Sequence, residues 1–285
     1  MIRFAAALAA VLALTGCAGL LPARVDIEEE RKQAAANPLE QESLNEIMLS
    51  VAGSEEAVTY FRDALARNPE DAGLRRAYAR ALYRNRQFAE AGFVYRSLDE
   101  AGEATDLDRV NYALALARLE QWDEAEAQLA LLPPSARSSR QSLARALIAD
   151  QRRNWDAADA AYAEAQALAP QPASVLNNWG VSRMARGEMN AAQRSFEEAL
   201  IYDPEMFSAK NNLAIAYGLQ RRYRVPLVSL TDEERAVILH NLGVIALRQG
   251  DRDIGQGLLE QSLATHPQHY APAADKLAAL GGVGG

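Results

Sequence analysis

From about residue 38 onward the chain repeats, and the period of that repeat constrains the fold more than any other feature. A small residue followed four positions later by an aromatic or leucine recurs as Ala57/Phe61, Ala91/Tyr95, Ala125/Leu129, Ala158/Tyr162 and Ala192/Phe196. The successive spacings are 34, 34, 33 and 34 residues. Three residues beyond each large residue lie Ala64, Leu98, Leu132, Ala165 and Ala199, and Pro69, Pro170 and Pro204 close their units. Earlier in each unit a second small residue recurs, as Ala79, Ala113, Ala146, Gly180 and Ala214. A final unit repeats the scheme with Gly243, Gly255, Leu259, Ser262 and Pro267. Two antiparallel helices approach closely only where a side chain is small, and a large residue one turn further on fills the wedge beyond the crossing.

This pattern resembles the tetratricopeptide repeat, whose 34-residue unit has small residues at two helix crossings, a large apolar residue and a terminal proline. The resemblance covers residues 38 to about 280. It implies an all-α fold, a right-handed superhelix (α-solenoid) of about six full or partial helical hairpins, with a short terminal helix near Ala273–Leu280. Asp203-Pro204 and the capping box Thr231-Asp-Glu-Glu234 predict starts of first helices. Gly187 and Gly250 fall at turns between paired helices, where glycine takes a positive φ at low cost. The tail 281–285 is expected to be disordered.

One unit departs from the pattern. After a first helix expected over Ser208–Gln220, Pro226 in Arg224-Val-Pro-Leu-Val-Ser-Leu230 stands where the next small crossing residue belongs, and proline cannot sustain a helix interior. Either the unit has lost its second helix and the segment bridges to the next, or the segment is an extended apolar strand lying on the superhelix or offered to a partner.

By resemblance, the concave wall of such an array is built from the first helices and binds peptides. Asn111, Asn178, Asn212 and Asn241 share one position on that wall. Each either bonds the backbone of a bound peptide or holds the helix pair together. Three residues on come Leu114, Val181, Ile215 and Val244, with Met184 and Leu219 nearby: an apolar strip suited to an apolar or amphipathic partner unless the next unit covers it. Arg76, Arg80 and Arg84, four apart, stack on one helix face. They are either a solvated face paired with carboxylates or a clamp for an acidic stretch of the partner.

The formal charge of −8, with no basic clusters of the usual nucleic-acid-binding kind, argues against nucleic acid as a partner, whose phosphates demand Lys and Arg. Only Lys32, Lys210 and Lys276 are lysines. No cofactor and no metal are expected: His266 and His269 are two ligands where zinc needs three or four. No phosphate loop precedes a helix, and nothing nominates a catalytic residue, so the chain does not read as an enzyme.

The N-terminus has the form of a signal peptide: Arg3, an apolar run Phe4–Leu14, then small Gly16 before Cys17, the only cysteine. The run is too short to span a bilayer. Leu14-Thr-Gly-Cys17 resembles a bacterial lipobox, which implies acylation of Cys17 and a stable anchor, since several acyl chains hold a protein where one does not. Ala18 in place of aspartate favours the outer membrane. The expected organisation is therefore a lipoprotein signal over 1–16, a lipidated tether over 17–37, the repeat domain over 38–280 and the tail, with the protein facing the periplasm.

The C-terminal stretch Arg224-Val-Pro-Leu, Thr231-Asp-Glu-Glu-Arg235, His240-Asn-Leu-Gly243, Leu247-Arg-Gln-Gly-Asp251 and Ala264-Thr-His-Pro-Gln-His269 is similar to the end of the TadD family. These are the repeat lipoproteins of the tight-adherence (Flp pilus) apparatus. The resemblance implies a protein-binding scaffold or pilotin that assists Flp pili or their secretin, with a secretin or pilus component as partner. The alternative is a periplasmic adaptor tethering peptidoglycan hydrolases or proteases to the outer membrane.

Overall fold

A computed structural model describes residues 53–281 together with Asn45, Glu46, Met48 and Leu49. Contacts divide the chain into Met1–Ala52 and Gly53–Gly285, and the architecture below is that of the second unit. The expected signal, tether and Cys17 lie outside the described residues, as do residues 282–285 of the tail.

The described residues 53–281 form thirteen helices. A leading helix α1 (Ser54–Arg67) is followed by the hairpins α2 (Ala72–Arg84) with α3 (Phe88–Glu100), α4 (Asp106–Arg118) with α5 (Trp122–Ala130), α6 (Ser139–Gln151) with α7 (Trp155–Leu168), and α8 (Ala173–Ala185) with α9 (Met189–Tyr202). Then α10 (Phe207–Gly218) stands without a second helix, α11 (Asp232–Arg248) pairs with α12 (Arg252–Thr265), and α13 (Ala271–Gly281) ends the stack. Within each pair the two helices pack together, and each hairpin packs on the next.

The repeated residues sit where the pattern requires. Ala57, Ala91, Ala125, Ala158 and Ala192 are wholly buried, as are the wedges Phe61, Tyr162, Phe196 and Leu259. Burying each wedge stabilises the stack by roughly 2 kcal/mol. At the α11/α12 crossing the backbones themselves meet: a Cβ on Gly243 would lie 3.0 Å from the Gly255 carbonyl oxygen, and one on Gly255 equally close to that of Gly243. Helix α5 is short because Pro133-Pro134 follows it and excludes helical continuation.

The turns inside the hairpins share one geometry. The second residue after each first helix, and the third after α10, has positive φ, at Arg86, Glu120, Arg153, Gly187, Arg221 and Gly250. The next N–H bonds back to the carbonyl five residues earlier, as in Gln87 to Leu82 (2.9 Å), Asn154 to Ala149 (2.9 Å) and Arg222 to Tyr217 (3.0 Å). This is a Schellman closure. Only the two glycines announce it in the sequence.

Thr231 caps α11 as expected, accepting from Glu234 N while Glu234 Oε2 accepts from Thr231 N. Asp203-Pro204 does not start a helix: Asp203 is the C-cap of α9, its carboxylate accepts from Glu205 N in a turn, and α10 begins three residues later at Phe207. Lys210, wholly buried in α10, bonds Glu205 (3.1 Å) and Glu234 (3.2 Å) and ties this turn to the start of α11. Burial opposes its charge, but the two carboxylates prevail and hold the ammonium above the usual lysine range.

Between α10 and α11 the second helix is missing, and the chain from Arg222 to Leu230 is irregular, with a bend at Leu227 and Val228 and local turns that bond Arg224 N to Arg222 O and Val228 N to Pro226 O. Tyr223, Val225 and Leu230 pack on the cluster of Ala214, Ile238, Leu239, Leu242, Ala246 and Leu258. The second helix is lost and the segment bridges to α11 as the first expectation has it; the expected extended strand is not formed, although Tyr223, Val225 and Leu230 do pack on the core of the array.

Candidate functional site

The first helices form one wall. Helix α2 touches α4, α4 touches α6, α8 touches α10 and α10 touches α11, whereas second helices make no comparable contacts with one another. In a curved stack the layer whose members crowd together lies on the inside, so the first helices line the concave face. The α6/α8 seam lacks that backbone proximity and is bridged by side chains, Ser182 Oγ donating to Asp150 Oδ1 at 2.6 Å.

The four asparagines on this face have different surroundings. Asn212 donates to Asn177 at 3.0 Å and Asn241 donates to Asn211 at 2.8 Å, so both tie successive first helices. For Asn178 the equivalent residue on the preceding helix is Leu143, which cannot accept; it donates instead to Ser174 O, one turn back, at 2.7 Å. For Asn111 that residue is Arg76, a donor only. Asn111 is 3% exposed and its Oδ1 has no hydrogen-bond partner among the described residues.

The arginine stripe is divided. Arg76 donates to Asp108 Oδ2 at 2.8 Å and to the Glu103 carbonyl, tying α2 to the start of α4. Arg80 is half-buried, and Arg84 is exposed at the end of α2. The apolar strip is open in the C-terminal half of the wall: Val181 and Leu219 are exposed, Ile215, Met184 and Val244 half-buried, while Leu114 is covered.

A polar network behind Asn178 and Val181 went unrecognised in the sequence. The Tyr162 hydroxyl donates to Asp150 at 2.8 Å beside the Ser182 bond, yet burial raises the Asp150 pKa above the usual carboxylate range. Trp179 stacks on Tyr162 (centroids 5.8 Å apart, 12° between planes) and donates to Asp159 at 2.6 Å. Arg183 lies 3.7 Å from the Trp179 ring centroid, and Arg186 pairs with Asp159 at 2.7 Å, lowering its pKa. The network fixes α8 against α7 and leaves its outer face to Asn178 and Val181. Only the tyrosine at a wedge position hinted at a buried acceptor.

Among the described residues no group of three or more metal-ligating side chains is assembled, and no helix is long and apolar enough to cross a membrane. His266 accepts from Gln268 N and stacks on Tyr270 (5.0 Å, 13°).

No protein-family model matches the sequence, and no curated protein matches it. Solved structures do. Human IFIT1, determined as a dimer with PPP-AAAA, superposes with a TM-score of 0.63 at 18% identity over 87% of this chain and 65% of its own. A chain of the APC/C hetero-tetramer Cut9-Hcn1 gives 0.58 at 17% identity over 88% of this chain, which spans 50% of its length. A tetratricopeptide repeat protein from Parabacteroides merdae gives 0.50 at 14% identity, covering 83% and 95%. At such identities the likeness carries the fold alone, and that fold is the all-α tetratricopeptide-repeat solenoid.

Proposed function

We propose that this protein is a lipid-anchored scaffold of the outer membrane, facing the periplasm, which binds a protein segment on its concave wall during assembly of tight-adherence pili or their secretin. The observation that carries the binding role is the open strip of α8, α10 and α11, where Val181, Ile215, Leu219 and Val244 lie beside Asn178, Asn212 and Asn241. Exposed apolar groups in a row, flanked by amides, suit a segment with apolar side chains. The anchor rests on Leu14-Thr-Gly-Cys17, and the pilus role on the C-terminal resemblance to the TadD family.

Crosslinking in living cells, followed by mass spectrometry of what co-purifies with outer membranes, tests all three parts. A secretin or pilus component recovered with the wild type, and lost with Cys17→Ala, supports the reading. Loss of crosslinks in Val181→Asp/Ile215→Asp, with membrane association retained, assigns them to the concave wall. Recovery of peptidoglycan hydrolases or proteases instead replaces it with the adaptor role, and a Cys17→Ala protein that stays with membranes removes the anchor.

A further inference from the structure

Where the fifth unit lacks its second helix, the chain that replaces it gathers positive charge. Arg221, at φ 58°, closes the same turn as its counterparts and pairs with Asp251 at 2.8 Å. Arg222 and Arg224, both exposed, are placed differently. Their guanidinium groups lie 4.9 and 4.6 Å from the centroid of a single ring, that of Tyr217, which is buried in the cluster of Ala192, Phe196, Leu213 and Ala216. Two like charges are thus held against one side chain, whose ring face attracts cations.

No carboxylate among the described residues neutralises them. Arg222 donates to Gln193 Oε1 at 2.8 Å and to Gln220 Oε1 at 3.0 Å, neutral acceptors that orient the guanidinium group without cancelling its charge. Gln193 is itself buried in α9, and Gln220 leaves its buried Nε2 without an acceptor among the described residues. The Arg224 side chain has neither an ion pair nor a hydrogen bond among them. Glu197 accepts from the Tyr217 hydroxyl at 3.3 Å and pairs with neither arginine. Elsewhere in the array, guanidinium groups that bridge units are neutralised: Arg76 by Asp108, Arg186 by Asp159 and Arg221 by Asp251. In a chain of net charge −8, two oriented guanidinium groups served only by neutral acceptors form a donor site short of an anion. Leu227, three residues beyond Arg224 at the bend, is completely exposed, at 102%. Charge and an apolar contact offered within one short segment suit a protein better than a free ion.

We infer that Arg222 and Arg224, stacked on Tyr217, form a second interaction site that takes the carboxylates of an acidic segment of a partner protein, with Leu227 as the adjoining apolar contact. The planar guanidinium fork matches a carboxylate in a two-pronged pair. Because the Tyr217 ring and Gln193 already position the donors, little side-chain entropy is lost on binding. Tyr217 packs on α9 and Arg222 bonds that same helix, so the site belongs to the layer of second helices. It does not depend on the concave wall, and either surface can fail without the other.

The test titrates the mature chain, carrying Cys17→Ser, into a fluorescein-labelled, end-blocked peptide of Glu-Glu-Leu repeats and reads anisotropy. Saturable binding is expected. The matched peptide of Lys-Lys-Leu repeats should bind about tenfold more weakly, and Arg222→Glu/Arg224→Glu should reverse that preference. Arg224→Gln, which removes no hydrogen bond of the fold, should weaken the acidic peptide about fivefold at an unchanged melting temperature, separating contact from folding. Val181→Asp/Ile215→Asp should bind it as the parent chain does. Absence of saturable binding up to about 1 mM overturns the inference. So does binding indifferent to the arginine reversal, or abolished by Val181→Asp/Ile215→Asp, which would put the peptide on the concave wall. Displacement of the peptide by inorganic phosphate at about 10 mM, but not by sodium chloride of equal ionic strength, also overturns it, since the site would then be one for small anions.

Discussion

Gly180 offers the sharpest test of why small residues recur at the crossings. A Cβ built there would lie 2.4, 2.7 and 2.8 Å from three carbons of the Phe196 ring, and Phe196 is wholly buried. To reach ordinary contact the ring must move by about 1 Å, an overpacking that costs about 3 kcal/mol in a well-filled core. Alanine returns about 1 kcal/mol through helix propensity, so Gly180→Ala should lose a net 2 kcal/mol or so. Gly257 is the control: it also lies within a helix, but a Cβ there would meet nothing within 4 Å, so Gly257→Ala should gain about 0.5–1 kcal/mol. Thermal and urea melting followed by circular dichroism would read both, with a fall of about 4–8 °C for the first and a rise for the second. Phe196→Leu in the Gly180→Ala background should restore at least about 1 kcal/mol over the sum of the single changes. A Gly180→Ala protein as stable as wild type, or a cycle with no coupling, would refute the claim that ring contact dictates the glycine.

Three further outcomes are expected. Glu120 adopts φ 61° in an exposed turn, so Glu120→Gly should stabilise by about 1 kcal/mol while Gly187→Ala, at φ 82°, destabilises by a similar amount; a destabilised Glu120→Gly or a stabilised Gly187→Ala in urea melts would contradict the shared-turn geometry. His240 stands edge-on to Tyr270 with its Nδ1 unpartnered among the described residues, and burial, helped by Lys276, lowers its pKa. The folded state therefore favours the neutral ring: its contribution is complete above the unfolded value near 6.5 and is lost as pH falls below it. The melting temperature of wild type should drop between pH 7.5 and 5.0 by more than that of His240→Leu; equal slopes would dismiss the histidine. Lys210→Met should cost about 2–4 kcal/mol, because the largely buried Glu234 carboxylate loses its counter-charge, and adding Glu234→Gln should recover part of it.

The hairpins, their count and their core were legible in the sequence because the requirement recurs: every unit needs two small residues at a crossing and one large residue beside them, and Ala57 to Phe196 answer it five times over. Pro226 likewise announced the loss of a helix, since the restriction is local to one residue. What the pattern did not disclose depends on neighbours. The positive φ at Arg86, Glu120, Arg153 and Arg221 follows from the closure each hairpin imposes, overriding the preference of the residue. Asp203-Pro204 looked like a helix start and is a turn, because the chain must reverse after α9 before α10 can pack. Which concave residues are open was decided by tertiary structure alone: Asn212 and Asn241 find asparagines to bond, Arg76 finds Asp108, and Leu114 is covered. Those partners lie about thirty residues away, on the adjacent unit. A repeat determines which positions face the groove, but whether the side chain there is free depends on the one the next helix sets against it.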